Sequence, residues 1–304
     1  MSDDARAARS DGGRAGVVLP AGIPIPSASE SPVARVRTDG GPTLVDTERV
    51  PGAPRRATDE VLSSLILLQA VAAGSAPECV RVFSPAPTVA FSRRESLHPH
   101  FARAADAARA AGYLPIVRPA GGRAVVLDED WLVVDLLSVE SERRDDGEVF
   151  RARGREFADL ARSWGVDARV GAVAGEYCPG EWSVNARGAV KLVGTAQRVV
   201  RGGRLFTASI PLRLGERAYR LLVEVNAILG LVWDPSTVGS LAEETVVDDE
   251  AVRAAVAAHF AGVDAPRRGL REIVGGLDAA VARLAGDRVV SGPESTVDTG
   301  AERA

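Results

Sequence analysis

The stretch GEYCPGEWSVNARGAVKLVGTAQR, residues 175–198, decides the interpretation of this chain. EWSVN alternates polar and apolar residues, a turn follows at Ala186–Gly188, and AVKLVGTAQRV returns, which predicts a β-hairpin. In this register Lys191 pairs near Trp182–Val184. Lys191 is the only lysine among 37 basic residues. A compact ammonium suits one reacting carbonyl oxygen better than a guanidinium does, so we interpret Lys191 as a site residue; a solvated strand lysine is the alternative.

A cysteine lies in the loop that precedes this hairpin. Cys178 stands beside Pro179-Gly180, whereas Cys79 lies within the apolar run ECVRVF. A loop cysteine is well placed to be a nucleophile, and its thiolate would need a nearby cation such as Lys191. Along a straight strand the two residues would stand roughly 13–20 Å apart, at about 3.3 Å per residue. They meet only if Pro179-Gly180 folds the loop back, and a loop cysteine without a catalytic role is the alternative.

A second motif is the glycine turn RPAGGRAVV, residues 118–126, between two apolar strands. Gly121 and Gly122 permit positive φ and let a ligand approach the backbone closely. Arg118 and Arg123 flank the turn and offer guanidinium groups for a carboxylate or phosphate. A simple hairpin with two solvated arginines is the alternative. Because the turn leads into a strand, it does not match a phosphate-binding loop at a helix N-terminus.

Composition limits the class of protein. The 304 residues, 46% of them hydrophobic, are enough for one large domain or two smaller ones. A net charge of −4 gives no support for a nucleic-acid partner. No apolar run reaches the roughly 18–20 residues of a membrane span, and the N-terminus lacks a signal-peptide pattern. Two cysteines and three histidines supply no metal-site spacing. We therefore expect a cytoplasmic protein without a metal site or a membrane partner.

The order of elements predicts the organisation of the chain. Residues 1–45 and 291–304 are rich in small and polar residues without a helical or strand period, and we expect them to be disordered tails. Between them, two groups of strands alternate with helices. This pattern predicts an α+β domain over residues 46–245, with a central mixed β-sheet flanked by helices. Two weaker helices, near 249–261 and 268–285, predict a helical C-terminal extension at residues 246–290.

Together these motifs point to a known family. VRPAGGRAVVLDEDWLVVDLL and the later WSVNARGAVKLVGTAQRVVRGGRLFTASIPL resemble the lipoate–protein ligase and octanoyltransferase superfamily, which includes the biotin–protein ligases. The resemblance covers roughly residues 58–240 and rests on the glycine turn and a K-x-x-G-x-A-Q pattern. It implies a biotin/lipoate protein ligase-like catalytic domain, in which the lysine reaches the acyl carbonyl and the glycine turn lines an acyl tunnel. The implied substrate-binding residues are Arg118, Gly121, Gly122, Arg123, Asn185, Gly194, Thr195, Ala196 and Gln197.

One transferase branch of the family forms an acyl-thioester on a cysteine shortly before the lysine. Here Cys178 precedes Lys191 by thirteen positions, and the turn reads Gly-Gly-Arg as in that branch. The resemblance therefore implies Cys178 and Lys191 as catalytic residues of a protein acyltransferase that needs no cofactor. It would move an octanoyl or lipoyl group from octanoyl-acyl-carrier protein, or from a lipoyl-protein donor, to a lysine of a lipoyl-domain acceptor.

Two alternatives remain open. An ATP-dependent lipoate–protein ligase would use ATP and Mg²⁺ to form a lipoyl-adenylate, and Cys178 would be incidental. A non-catalytic acyl- or lipoate-binding relative is favoured by departures from the family pattern: Val117 replaces a first arginine, Ala120 a serine or threonine, and Leu127 a histidine, and Thr207–Pro211 contains no histidine. A biotin ligase is less favoured, because no glycine-rich biotin loop with several arginines is evident.

Overall fold

The computed structural model describes residues 41–46, 57–142 and 144–290. The described strands are β1 (Thr43–Asp46), β2 (Cys79–Phe83), β3 (Thr88–Phe91), β4 (Leu114–Val117), β5 (Val125–Leu127), β6 (Trp131–Glu140), β7 (Ala168–Val170), β8 (Val184–Ala186), β9 (Val190–Val200), β10 (Gly202–Pro211) and β11 (Arg267–Gly269). They form an eight-stranded sheet, in the order β11-β1-β2-β6-β10-β9-β8-β7, and a three-stranded sheet, in the order β4-β3-β5. Parallel and antiparallel neighbours both occur in the large sheet, which confirms the predicted mixed sheet.

The described α-helices are α1 (Ala57–Ala72), α2 (Phe101–Ala110), α3 (Asp146–Ser163), α4 (Glu216–Ile228), α5 (Leu241–Glu244), α6 (Asp249–Ala261), α7 (Leu270–Ile273) and α8 (Leu277–Arg288). Helices cover both faces of the large sheet. Successive side chains of the central strand β6 alternate between faces. Val133 and Leu137 pack in one cluster with α1 and α8, whereas Leu132 and Val134 pack in another with α3 and α6. The strand is apolar on both faces because both are covered, and the α+β class is confirmed.

The small sheet has its own helical cover. Val89 and Phe91 of β3 and Val126 of β5 pack against α2 and α4, whose contributions include Ala104, Leu221 and Val225. This places the glycine turn between β4 and β5 at the edge of a separate layer, beside the large sheet.

The glycine turn is not a hairpin between neighbouring strands. β4 pairs in parallel with β3, and β5 pairs antiparallel with the same strand, so β3 lies between the two strands that the turn connects. Arg118–Arg123 therefore cross the end of β3. The N–H of Arg118 still donates to the Phe91 carbonyl of β3 (2.8 Å), but those of Arg123 and Ala124, at the other end of the crossing, donate to side chains instead of to a strand.

The register of the β8–β9 hairpin also differs from our expectation. Lys191 pairs with Asn185 rather than with Trp182–Val184, and Val184 pairs with Val193 across a β-bulge. The turn has the expected length of three residues but lies one position later, at Arg187–Ala189, because Ala186 remains in the strand; the positive φ angles fall on Arg187 (57°) and Gly188 (71°). One extra residue of β9 opposite β8 then produces the bulge.

The predicted division into domains remains a prediction, but two elements bear on its boundaries. β1 crosses the boundary expected at 45/46, and β11 inside 246–290 pairs in parallel with β1 in the large sheet. The single helix expected at 268–285 is divided into β11, α7 and α8, with Gly276 in a left-handed conformation (φ 71°) just before α8. Residues 1–40 and 291–304, the bulk of the expected tails, lie outside the described residues. Within the part that the structure describes, none of the helices is long and apolar enough to cross a membrane.

Candidate active site

The loop between β7 and β8 carries Cys178 and is held from inside by a carboxylate. The Glu176 side chain is fully buried and accepts hydrogen bonds from the backbone N–H of Val173 (3.2 Å) and of Gly180 (3.0 Å). Both ends of the loop are thereby fixed to one side chain. The backbone carbonyl of Cys178 in turn accepts a hydrogen bond from Lys191 Nζ at 2.5 Å. The loop folds back onto β9, which is the condition that the sequence set for Cys178 and Lys191 to meet.

Lys191 is buried, with 7% of its surface exposed. Besides the Cys178 carbonyl, its ammonium contacts Glu176 Oε1 at 3.2 Å and lies 5.7 Å from the centre of the Tyr177 ring. An isolated buried ammonium would be costly, and the glutamate offsets its charge. Glu176 was missed in the sequence, because a carboxylate in a polar loop looks solvated until the fold encloses it.

The sulfur of Cys178 faces the glycine turn. Its Sγ accepts a hydrogen bond from the backbone N–H of Arg123 at 3.4 Å. A Cβ built on Gly122, whose φ is 101°, would lie 3.5 Å from that sulfur and 2.7 Å from Arg118 Nη2. Only glycine fits here without displacing the Arg118 side chain. The turn thus brings a backbone donor and a guanidinium to the cysteine, a contact that the sequence did not predict.

Arg118 is the cation on the sulfur side of the site. Its Nη2 donates to the Arg123 carbonyl (2.8 Å), and its buried Nε has no hydrogen-bond partner among the described residues. Burial lowers the pKa of Arg118, and the neighbouring Cys178 and Tyr177 act in the opposite direction. We expected Lys191 to stabilise the Cys178 thiolate. In the structure Lys191 contacts the Cys178 carbonyl instead, and Arg118 supplies positive charge near the Cys178 sulfur.

A second buried carboxylate supports the turn. Glu95 accepts hydrogen bonds from the backbone N–H of Ala124 (2.7 Å) and from both the N–H and the hydroxyl of Ser92 (2.9 Å each). It fixes the segment after β3 to the end of the glycine turn. Glu95 was also missed in the sequence, where nothing links it to a motif that follows more than twenty positions later.

Two cavities meet at this place. An open cleft of about 830 Å³ is lined by the glycine turn, Cys178, Pro179 and Gln197–Val199. A smaller pocket of about 50 Å³ lies between α1 and strands of both sheets, with walls that include Phe83, Leu127 and Leu205. Pro119 and Ala120 line both cavities. The cysteine therefore lies in the open cleft, next to a largely apolar pocket behind the turn.

The deep side of the small pocket is polar. Asp135 accepts a hydrogen bond from the Ser64 hydroxyl (2.6 Å) and lies 3.6 Å from Arg81 Nη1. Burial raises the pKa of Asp135, whereas Arg81, Ser64 and Thr207 lower it. This enclosed network ends the pocket and connects α1 to the large sheet.

The remaining predicted site residues lie in several places. Gln197 lines the cleft, and its side-chain oxygen accepts a hydrogen bond from Arg204 (2.6 Å). Asn185 is buried and bonded at both ends of its amide, to Gly171 and Gly188, so its contacts are those of a turn residue. Gly194, Thr195 and Ala196 lie on β9 outside the lining of either cavity. At Gly194 a Cβ would stand 3.6 Å from Lys191 Cε, next to the lysine's stem.

Comparison with known proteins identifies the family of this chain. Residues 63–261 match the model of the lipoyl protein ligase A/B catalytic domain family. The chain belongs to that family. The resemblance to the lipoate–protein ligase and octanoyltransferase superfamily is confirmed.

Curated relatives carry one name. Octanoyl-[GcvH]:protein N-octanoyltransferase of Geobacillus kaustophilus is 33% identical over 138 residues, which cover 45% of this chain and 48% of that protein. The protein of the same name from Anoxybacillus flavithermus is 33% identical over 140 residues, covering 45% of this chain and 49% of that protein. The chain spans about half the length of the curated relatives it matches.

Solved structures share the fold. Lipoate-protein ligase A bound with ATP superposes with a TM-score of 0.61 at 18% identity, covering 81% of this chain and 94% of that chain. A bi-partite lipoate protein ligase from Thermoplasma acidophilum superposes with a TM-score of 0.58 at 17% identity, covering 82% of this chain and 92% of that chain. At this identity the likeness establishes the architecture, and the chemistry has to be argued from the site.

Proposed function

We propose that this chain is a protein acyltransferase that moves an octanoyl group through a thioester on Cys178 to a lysine of an acceptor protein. The observation that carries the proposal is the position of Cys178: its sulfur accepts the Arg123 N–H beside an apolar pocket, in a chain whose curated relatives are named octanoyltransferases. A nucleophile, a cation and an apolar pocket at one place are the parts that acyl transfer through cysteine needs.

In the first step the Cys178 thiolate attacks the octanoyl carbonyl carbon. A carbon–sulfur bond forms to the enzyme, the bond to the donor breaks, and the departing donor group takes up a proton. In the second step the ε-amine of an acceptor lysine attacks the thioester and loses a proton, and the thiolate is released. Octanoylated GcvH is the donor suggested by the names of the relatives, and octanoyl-acyl-carrier protein is the other donor considered.

Both steps pass through a tetrahedral intermediate with negative charge on the former carbonyl oxygen. We expect the backbone N–H of Arg123, which donates to the sulfur, and the Nε–H of Arg118, which has no hydrogen-bond partner among the described residues, to bind that oxygen. Lys191 would add positive charge from the other side, held there by Glu176. The octanoyl chain would extend past Pro119 and Ala120 towards the apolar pocket, which at about 50 Å³ has to widen to hold all eight carbons.

The residues that line the cleft bear on the alternative of an ATP-dependent ligase. The cleft offers arginines for phosphate groups, but its lining among the described residues includes no aspartate or glutamate. Magnesium with a nucleotide is usually held by one or two carboxylates besides the phosphates. The donor set of the cleft therefore does not fit Mg²⁺ with ATP, and we derive no step from it.

Transfer between proteins tests the proposal. The wild-type protein is mixed with an acceptor lipoyl domain and either octanoylated GcvH, octanoyl-acyl-carrier protein, or free octanoate with Mg²⁺ and ATP. We expect octanoyl to reach the acceptor from a protein donor without ATP. Transfer only from free octanoate with ATP would instead identify a ligase. Binding of the donor without transfer, unchanged in Cys178→Ala, would identify a non-catalytic relative.

A further inference from the structure

The mouth of the cleft that contains Cys178 is formed by arginines. Arg93 and Arg94 follow β3, Arg123 follows the glycine turn, and Arg198 stands on β9; all four line the cleft. We call these four residues the arginine rim. Three separate segments of the chain supply them, so the positive charge surrounds the opening rather than coming from a single basic stretch.

The described residues supply no ion-paired countercharge to the rim. None of its four guanidinium groups forms an ion pair with a carboxylate in the part of the chain that the structure describes, and Arg198 Nη1 donates only to the Pro119 carbonyl, at 3.3 Å. Some exposed arginines elsewhere are paired with nearby acids, as Arg169 is with Asp167 (2.6 Å) and Arg271 with Asp278 (2.6 Å). The rim differs in that four guanidinium groups without an ion pair among the described residues are gathered around one opening, in a chain whose net charge is −4.

A fifth guanidinium group, that of Arg288, adds positive charge beside the rim. Arg288, near the end of α8, donates to the Val117 carbonyl at 3.3 Å. Burial lowers the pKa of Arg288, the positive charges of Arg198 and Arg93 lower it further, and Asp287 acts in the opposite direction. Like charges held this close oppose one another, and an anionic partner that binds there would relieve the repulsion.

We propose that the arginine rim docks an acidic face of the protein domain that carries the octanoyl-lysine, so that this lysine enters the cleft between the four arginines. The inference rests on the proposed function, since it takes Cys178 as the centre of the chemistry. A domain surface suits the rim better than a single small anion, because Arg93, Arg94 and Arg198 are exposed around an open cleft of about 830 Å³.

A kinetic measurement can distinguish the role of the rim from the role of the residues that take part in the reaction itself. Charges around a binding face act on the encounter with an oppositely charged protein, and salt weakens that effect. They have little effect on the reaction of a small uncharged donor that reaches Cys178 by itself. The rim should therefore affect kcat/KM with a protein donor much more strongly than kcat/KM with a small donor.

The test compares Arg93→Glu/Arg94→Glu with a matched control, Arg155→Glu/Arg220→Glu. The control makes the same charge change at exposed residues of α3 and α4 that do not line the cleft. Each variant is assayed for Cys178 acylation by octanoylated GcvH and by octanoyl-N-acetylcysteamine, an uncharged thioester, at low and high sodium chloride. Binding of unmodified GcvH to Cys178→Ala, with and without the rim substitutions, is measured in parallel by calorimetry.

We expect the rim variant to lose at least tenfold in kcat/KM with octanoylated GcvH. The loss with the small thioester should be at least tenfold smaller, and the control should follow wild type. Equal losses with the two donors, or no loss with GcvH, would overturn the proposal. Inhibition by inorganic phosphate or ATP beyond that of sodium chloride at equal ionic strength would assign the rim to a small phosphate ligand, and would also overturn it.

The two proposals fail in different ways. If wild type forms no acyl-enzyme with either donor, the proposed function is wrong. The calorimetric binding measurement still tests the rim in that case. The proposal requires that GcvH bind at least tenfold more weakly to Cys178→Ala when Arg93 and Arg94 are also replaced. Undiminished binding would refute the rim by itself.

Discussion

Glu176 connects three parts of the site, so its removal should cost more than the loss of a surface acid. In Glu176→Ala the Lys191 ammonium keeps only the Cys178 carbonyl as a partner, and the N–H groups of Val173 and Gly180 lose their acceptor. Breaking a buried ion pair by removing one partner typically costs about 3–5 kcal/mol, because a buried charge is left uncompensated. We expect the free energy of unfolding of Glu176→Ala to fall within that range.

The Glu176→Gln substitution removes the negative charge of the side chain but keeps its shape. Its amide oxygen can still accept hydrogen bonds from Gly180 and Lys191, as Oε1 does, but its NH₂ group would then face the N–H of Val173, which needs an acceptor. Leaving one buried donor unpaired costs about 1–3 kcal/mol. The expected order of stability is therefore wild type, then Gln, then Ala.

Urea unfolding of the full chain measures these differences. Glu181→Ala is the matched control, because Glu181 is an exposed glutamate in the same loop, and its change should stay within about 0.5 kcal/mol. The Ala and Gln variants should also react faster with iodoacetamide at Cys178, since the loop loses its internal anchor. If Glu176→Ala proves as stable as Glu181→Ala, the buried pair does not hold the loop, and our account of the site is wrong.

Three further predictions concern the turn, the two thiols and acid stability. Gly122→Ala should slow Cys178 acylation at least tenfold, because a Cβ at Gly122 meets the side chains of Arg118 and Cys178. Gly121→Ala should be tolerated, because a Cβ at Gly121 meets nothing within 4 Å. Iodoacetamide at pH 8 should add a single label per chain, at Cys178, as seen by intact mass, because burial above all raises the pKa of the Cys79 thiol to about 12; two labels would contradict this. Burial alone would raise the pKa of Glu140, but hydrogen bonds from two arginines hold it at about 2, below its ordinary 4.5. The stability that Glu140 contributes is thus present above pH 4.5 and lost as the pH falls towards 2, so the difference in unfolding free energy between wild type and Glu140→Gln should shrink over that window; a constant difference would refute the assignment.

The sequence predicted the fold class because the apolar patterns of its strands and helices are local signals. The candidate site residues were found in the same way: the lone Lys191 in an alternating strand, a glycine turn bounded by arginines and Cys178 in a loop are each visible within a dozen residues. β11 was not predicted, because Arg267–Gly269 has neither apolar alternation nor β-branched residues, and its place in the sheet depends on pairing with β1.

The sequence could not predict which segments, distant along the chain, pair with or contact each other. The position of the turn that sets Lys191 opposite Asn185 depends on one residue of strand register, which composition does not fix. The glycine turn looked like a hairpin because nothing in its own residues indicates that β3 lies between the strands it connects. Glu95 and Glu176 were missed for a related reason: a carboxylate becomes a structural group only when distant segments enclose it.

The central claim is that Cys178 carries the octanoyl group. The most direct test is intact-mass spectrometry of the wild-type protein incubated with octanoylated GcvH, or with octanoyl-acyl-carrier protein, without ATP, beside Cys178→Ala and Cys79→Ala. The account predicts one octanoyl adduct, labile to hydroxylamine, on wild type and on Cys79→Ala, and none on Cys178→Ala. An adduct that persists in Cys178→Ala, or transfer to the acceptor at the wild-type rate by that variant, would contradict it.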